Sequence, residues 1–259
     1  MLVALIRTPS PKLEQGERTH IGRDAIDFTR ALEQHQAYGR ALAACGADVH
    51  RLDDAKDFAD GVFIEDTAIV LPEVAVLTRP GATSRRGEVD GVANALARYR
   101  ECRRIEGPAT LDGGDVVVIG KTILVGRSQR TNVIGIAALQ ALLLEFGYVV
   151  VSVGMHGCLH LKSGCTALPD GRLLINPDWI TIDDVSGFDL VPIPTEEPWG
   201  GDVAIAGGKV VAAAAHEKTL GLLAREGYDV VPVDVSEFAK AEGGVTCLSL
   251  IFESEQRRG

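Results

Sequence analysis

A chain of 259 residues that is 46% apolar carries enough nonpolar side chain for a sizeable core, in one large domain or two ordinary ones. Its formal charge of -10 argues against nucleic acid, anionic membrane or polyanionic partners, which need clustered Lys and Arg, and suits a small cationic substrate. Cysteines at 45, 102, 158, 165 and 247 follow no framework spacing, and the N-terminal MLVALIRTPS has no basic leader region. With no apolar run long enough to span a membrane, a soluble protein of the reducing cytoplasm is expected.

Residues 2–6 read as a short strand, closed by Thr8-Pro9-Ser10-Pro11. Residues 12–23 are polar and without periodicity, a surface segment that serves as a lid or a mere connection. From 24 to 45 the spacing of Ile26, Phe28, Ala31, Leu32, Tyr38, Leu42 and Cys45 predicts a helix, stopped by Gly46.

One pattern then returns. Strand, turn, strand occupies 62–77, and recurs at 109–125, 160–175 and 202–213, with helical stretches predicted at 88–99, 131–146 and 217–226. A period of about 40 to 50 residues marks a repeated supersecondary unit. A fifth copy arises if 247–252 at one chain end pairs with 2–6 at the other, which leaves no open sheet edge. The expected fold is therefore α/β, a pseudo-five-fold ring in one domain spanning 1–259. The hairpin turns argue against an ordinary open parallel sheet, whose strands need long crossovers.

The repeats place polar residues at equivalent strand starts. Asp60, Glu65, Asp66, Asp112, Asp115, His160, Ser163 and Cys247 would gather at one end of the ring, around a shared cavity. Glu65 and Asp66 interrupt the apolar strand VFIEDTAIV and demand a partner, either a planar cation with several N–H donors or an internal ion pair. His160 is a general acid/base by its ordinary pKa, or a satisfied core residue. Cys247 follows Gly243-Gly244, a pair that permits φ > 0 or a close approach of backbone, and precedes an apolar strand. That mounts a nucleophile, though free Cys also simply packs.

Arg85, Arg86 and Arg130 lie in loops after the hairpins, where a pair of them would clamp a carboxylate. The run His156-Gly157-Cys158-Leu159-His160 offers metal-type ligands but lacks the paired spacing of structural zinc sites. Gly113-Gly114 precedes a strand, so it is no phosphate loop.

Taken together, Leu5 to Pro9, Leu32 to His35, Val62 to Asp66, the segment RPGATSRR at 79–86, TLDGGD at 110–115, Arg130 to Asn132, HLKS at 160–163 and GGVTCLS at 243–249 resemble the dimethylarginine dimethylaminohydrolase (dimethylargininase) family. The resemblance runs in order over nearly the whole chain. It implies the pentein fold of the guanidine-modifying enzymes, a five-bladed α/β propeller. It also implies hydrolysis of Nω-methylated arginines to citrulline and an amine, with no cofactor and no metal, in a monomer or homodimer. Cys247 would be the nucleophile, His160 the proton donor and Asp112 its orienting partner. Asp60, Glu65 and Asp66 would hold the guanidinium and amino ends, Arg85 and Arg130 the carboxylate, with backbone of Glu17 or Arg18 and of Ala241 completing the site. Two departures bear on the substrate: Asp202, where relatives commonly carry Asn, and the charged loop Glu14 to Arg18, where relatives can be more apolar. Both are expected near the substrate mouth. An arginine deiminase or citrulline ureidase is the neighbouring alternative, and a non-catalytic, ribosome-binding pentein the alternative from another class; the latter has no need of the Cys, His and carboxylate set.

Overall fold

The computed structural model describes residues 1–53 and 55–254. They form five three-stranded sheets of identical order. In each, an inner strand pairs antiparallel with a middle strand, which pairs parallel with an outer one. The sheets are β3(Ala68–Val70), β4(Val74–Leu77) and β5(Glu101–Arg104); β6(Val116–Ile119), β7(Thr122–Gly126) and β8(Val149–Val153); β9(Cys165–Ala167), β10(Leu173–Ile175) and β11(Leu190–Pro192); and β12(Val203–Ala206), β13(Lys209–Ala213) and β14(Val230–Val233). The last sheet is made by both chain ends: β15(Ser249–Glu253) pairs antiparallel with β1(Leu2–Arg7), which pairs parallel with β2(Asp48–Leu52).

Hairpins and crossovers thus alternate, so both connection types weighed against each other in the sequence occur in the four sheets built from consecutive strands, and the terminal sheet replaces the hairpin by the two chain ends. The crossovers need a long link, supplied by helices α1(Phe28–Ala44), α2(Val89–Leu96), α3(Val133–Leu143) and α5(Glu217–Arg225). Between β10 and β11 only a single 3-10 turn, Ile182–Val185, stands in that place. Two of the helices start on a side-chain cap, Asp27 accepting from Arg30 N–H and Asn132 from Gly135 N–H.

Core packing lies between neighbouring sheets. Val3, Leu5, Leu250 and Phe252 of the terminal sheet meet Ala75 and Leu77 of β4 and Val89, Val92 and Leu96 of α2. The five inner strands β3, β6, β9, β12 and β15 jointly line a central cavity of about 270 Å³, which fixes the ring. No helix among the described residues is long and apolar enough to cross a membrane.

One local reading is corrected. Glu65 and Asp66 do not interrupt a strand; they sit on a 3-10 turn, Ile64–Thr67, that precedes β3. The same device recurs before other inner strands: Gly113–Asp115 before β6, the short α4(Leu161–Gly164) before β9, and Thr246–Leu248 before β15. These turns are too short to show periodicity in sequence. They swing the chain into the ring axis and leave the chemistry-bearing residues at one end of it.

Candidate active site

Glu17, Asp60, Phe63, Asp66, Arg85, Arg130, Leu159, His160, Ala241, Glu242 and Cys247 line one small cavity at that end, of about 20 Å³. Nine of the residues singled out in the sequence are thus brought together or stand directly behind the cavity wall, Asp112 being the one behind.

His160 caps α4 and is buried, its Nε2 3.0 Å from Oδ2 of Asp112. Asp112 is fully buried and itself pinned, Oδ1 accepting from Gly81 N–H (2.8 Å) and its own N–H donating to the Thr131 hydroxyl (3.1 Å). That leaves Nδ1 of His160 as the working nitrogen, 3.7 Å from Oδ1 of Asp66. Burial alone would lower the His160 pKa, but Asp66, the bond to Asp112 and Asp115 outweigh it and hold the imidazole protonated, up to about 10.

Asp66 accepts from Gly114 N–H at 2.9 Å and pairs with the Arg85 guanidinium. Gly114 is required there, because a Cβ would lie 2.7 Å from both Asp66 Oδ1 and His160 Nδ1. Burial works against ionisation of Asp66, but His160 and Arg85 prevail and keep it a carboxylate. Asp60 is buried too, and burial pushes its pKa up while Arg85 and the Glu17 N–H pull the other way.

Cys247 lies on the last 3-10 turn, its sulfur accepting from Gly244 N–H at 3.4 Å. Burial, then Asp202, Glu65 and Asp66, drive the thiol well above its ordinary pKa. In this state of the site it is a thiol and not a thiolate. The glycine pair serves close approach, not positive φ: a Cβ at 243 would strike the Phe63 ring at 2.1 Å and one at 244 the Asp202 carboxylate at 2.0 Å. The left-handed residue in this segment is their neighbour Glu242, at φ 60.

Two expectations change. Arg85, expected to clamp a carboxylate, lines the cavity, but most of its donors are engaged inside the protein. Nε and Nη2 donate to Glu88 (3.2 and 2.8 Å), Nη2 also to the carbonyl of Phe63 (2.9 Å), and Nη1 to Asp66. Arg85 therefore props Asp66 from the cavity wall, and Arg130, which no ion pair among the described residues engages, faces the same cavity as the less committed cation. Arg86 donates to the Pro80 carbonyl and is not in the lining.

Glu65 also departs from expectation. It does not line this cavity but the central one, where Oε1 accepts from Lys162 Nζ at 2.7 Å and Oε2 is buried without a partner. Asp202, expected near the mouth, is buried beneath the nucleophile turn and accepts from Thr246 N–H at 2.9 Å. Burial pushes its pKa up to about 7. Asp115, likewise buried and raised to about 6 by burial, anchors Leu161 N–H (3.0 Å) and the Thr131 hydroxyl (2.6 Å), and so supports the turn that carries His160. Ser163 faces a different cavity, beside Trp199 and His216.

Asp66, Asp112 and His160 are close enough to suggest a metal cluster. The carboxylate oxygens, however, already accept from Gly114, Arg85, Gly81 and His160, a pattern built to hold a proton on an imidazole. Cys158 and Cys165 are buried, and burial pushes both thiols up to about 12, which separates them from site chemistry. Sequence reasoning missed Glu88, Lys162, Thr131 and Glu242. The partner of Arg85 could have been sought at i+3, but nothing in the sequence marks the other three.

A cation fits this arrangement: ionised Asp66, with Asp60 beside it, faces a cavity that also holds a thiol nucleophile and an imidazole able to protonate a leaving group. The chain is 45% identical over 249 residues to the N(G),N(G)-dimethylarginine dimethylaminohydrolase of Streptomyces coelicolor, covering 95% of each. It is 36% identical over 251 residues to the enzyme of that name from Pseudomonas aeruginosa, covering 96% of this chain and 98% of the other. It belongs to the dimethylarginine dimethylaminohydrolase family.

The family model for eukaryotic N,N dimethylarginine dimethylhydrolase matches residues 17–162. The fold agrees with the solved Pseudomonas aeruginosa dimethylarginine dimethylaminohydrolase, in a cysteine-to-serine mutant complexed with citrulline, at TM-score 0.88 and 35% identity over 96% of this chain and 98% of that one. A solved dimethylarginine dimethylaminohydrolase adduct with S-methyl-L-thiocitrulline superposes at TM-score 0.91, with 35% identity, over 97% of this chain and 100% of that one. The five-sheet ring of this family member is the pentein fold.

Proposed function

We propose that this protein hydrolyses Nω-methylated arginines to citrulline and methylamine or dimethylamine through a covalent intermediate on Cys247. The observation that carries the reading is the meeting, in one cavity, of a thiol, an imidazole kept protonated by Asp66 and the bond to Asp112, two acids and Arg130. Asp66 and Asp60 receive the guanidinium and amino groups, Arg130 the α-carboxylate, and backbone at Glu17 and Ala241 the remaining edges. Arg85 and Glu88 act from behind by fixing Asp66.

The resting thiol is neutral because the acids around it oppose a second negative charge. Docking a cation between them reverses that field, so the thiol loses its proton to solvent as the substrate binds. The thiolate attacks the cationic guanidinium carbon and forms a C–S bond. Collapse of the tetrahedral adduct breaks the C–N bond to the methylated nitrogen, and His160 Nδ1 gives that nitrogen its proton. The S-alkylthiouronium that remains is cationic and electrophilic. His160, now neutral, takes a proton from water as the oxygen attacks. Expulsion of the thiolate and loss of one proton leave citrulline.

The test is citrulline release from asymmetric dimethylarginine, monomethylarginine and arginine by the wild type and by Cys247→Ser. Turnover of the methylated substrates that the substitution abolishes is the expected result. Equal activity in the variant, or turnover of arginine alone, would overturn the assignment.

A further inference from the structure

The closed cavity beside Cys247 measures about 20 Å³, room for roughly one water and far too little for an amino acid. Part of its wall must therefore move before any substrate enters. Glu17 is its exposed wall, and residues 16–21 around it are fastened at both ends of the site. On one side Glu17 N–H donates to both carboxylate oxygens of Asp60 (3.2 and 3.1 Å), and the Ser84 hydroxyl donates to Glu17 Oε1 (2.7 Å). On the other side the Arg18 Nε donates to the Lys240 carbonyl (2.8 Å), and Glu242 accepts from Thr19 N–H (2.5 Å) and His20 N–H (2.9 Å).

Glu242 is unusual in its backbone as well. Among the described residues it is the one non-glycine at positive φ, although glycine occupies the next two positions at ordinary φ. A side chain held in the left-handed region raises the free energy of the chain and persists only where its surroundings over-determine it. Here the over-determining contact is the two-armed grip of the carboxylate on the segment that closes the site. The closed arrangement also carries an opposing term: Arg18 Nη2 is buried with no partner, which favours opening. The closed segment is thus held by a charged, double hydrogen bond and opposed by an unsatisfied donor.

We propose that Glu242 is the catch of a lid formed by residues 16–21, so that a side chain on the nucleophile's own segment sets how long the site stays shut. Its relevance to turnover rests on the reading of the Cys247 cavity as the substrate site; the catch itself can be measured without any substrate. For the proposed reaction, closure seats the Glu17 backbone against Asp60 and shields the thiolate. Opening releases citrulline. Glu242 is on this account a positioning residue.

The experiment compares substrate-free wild type, Glu242→Gly and Glu242→Gln by amide hydrogen exchange over residues 16–23 and by trypsin cleavage after Arg18 and Arg23. Glycine removes the catch and relieves the backbone strain together, so the folded state is kept or strengthened. Exchange at Thr19 and His20 should rise by about tenfold or more in Glu242→Gly and by less in Glu242→Gln, which keeps one acceptor without its charge. In turnover of asymmetric dimethylarginine both variants should raise KM by about threefold to tenfold while kcat holds or increases, as expected when opening gates exchange of ligand. Exchange over 16–23 within twofold of wild type in both variants would overturn the proposal, as would a rise spread evenly over the chain. Faster lid exchange in a protein that releases no citrulline would leave the catch standing and remove the functional reading instead.

Discussion

Glu65 and Asp66 are adjacent acids on one 3-10 turn, yet they face two different cavities of the ring. Asp66 faces the small cavity of Cys247 and His160, is propped by Arg85, and stays ionised on the side where a cation would enter once the wall opens. Glu65 faces the larger central cavity, where Lys162 already neutralises it. Burial pushes the Glu65 pKa up, with Lys162 opposing. The difference teaches that a carboxylate binds a substrate cation only where the protein's own cations are placed behind it and not in front of it. Arg85 bonds Asp66 and is itself tied down by Glu88 and the Phe63 carbonyl, so it orients the acid without covering it. Lys162 occupies the face of Glu65 that a ligand would need.

Removing the working proton at the small cavity should have the largest effect. His160→Asn keeps a polar side chain but takes away the acid that Asp112 holds, and should lower kcat on methylated arginine by about 10²–10⁴-fold, the usual worth of a positioned general acid. Steady-state citrulline formation measures it, and a loss under about fivefold would show that the amine departs without His160.

The contrast between the two acids is sharpened by a matched pair of variants. Asp66→Asn abolishes the charge that faces both the substrate and His160 Nδ1, so it should cost at least about tenfold in kcat/KM, consistent with a lost charge-assisted hydrogen bond. Glu65→Gln keeps the shape of a residue that does not touch the small cavity, and should change kcat/KM by no more than about threefold. Equal losses in the pair would break the comparison and put Glu65 back among the groups that hold the cation.

Much of this was legible in the chain. The five-fold repetition, the closure of the ring by its two ends and the gathering of Asp66, His160 and Cys247 all follow from strand spacing and from polar residues at equivalent places. The division of labour did not. Glu65 and Asp66 look alike in sequence because a 3-10 turn of four residues has no readable period, and a strand reading would also place them on opposite faces without saying which face holds the thiol. Arg85 looked like a ligand clamp because its partner Glu88 reads only as the first residue of the helix predicted at 88–99, with nothing to turn it back toward Arg85. Glu242 carried no signal at all, since the glycines beside it are where positive φ would be sought.

Asp202 provides the smallest and most specific test, because it is buried under the nucleophile turn and lines neither the small cavity nor the central one. Thr246 N–H donates to it, and burial followed by the proximity of Glu65 raises its folded pKa from 3.8 to about 7, with Thr246 N–H and Lys162 pulling it back. A carboxyl raised in this way contributes stability that is complete below its unfolded pKa and is lost as pH climbs through about 7. Asp202→Asn keeps an acceptor for Thr246 N–H and removes the charge, so it should leave the melting temperature unchanged near pH 4. At pH 8 it should raise it by roughly 2–4 °C for each kcal/mol of relieved burial cost. Thermal unfolding of both proteins at the two pH values decides the matter. No gain at pH 8 would mean that Asp202 is ionised there without cost and that its raised pKa is wrong; a gain equal at both pH values would mean that the gain does not come from the carboxyl's titration.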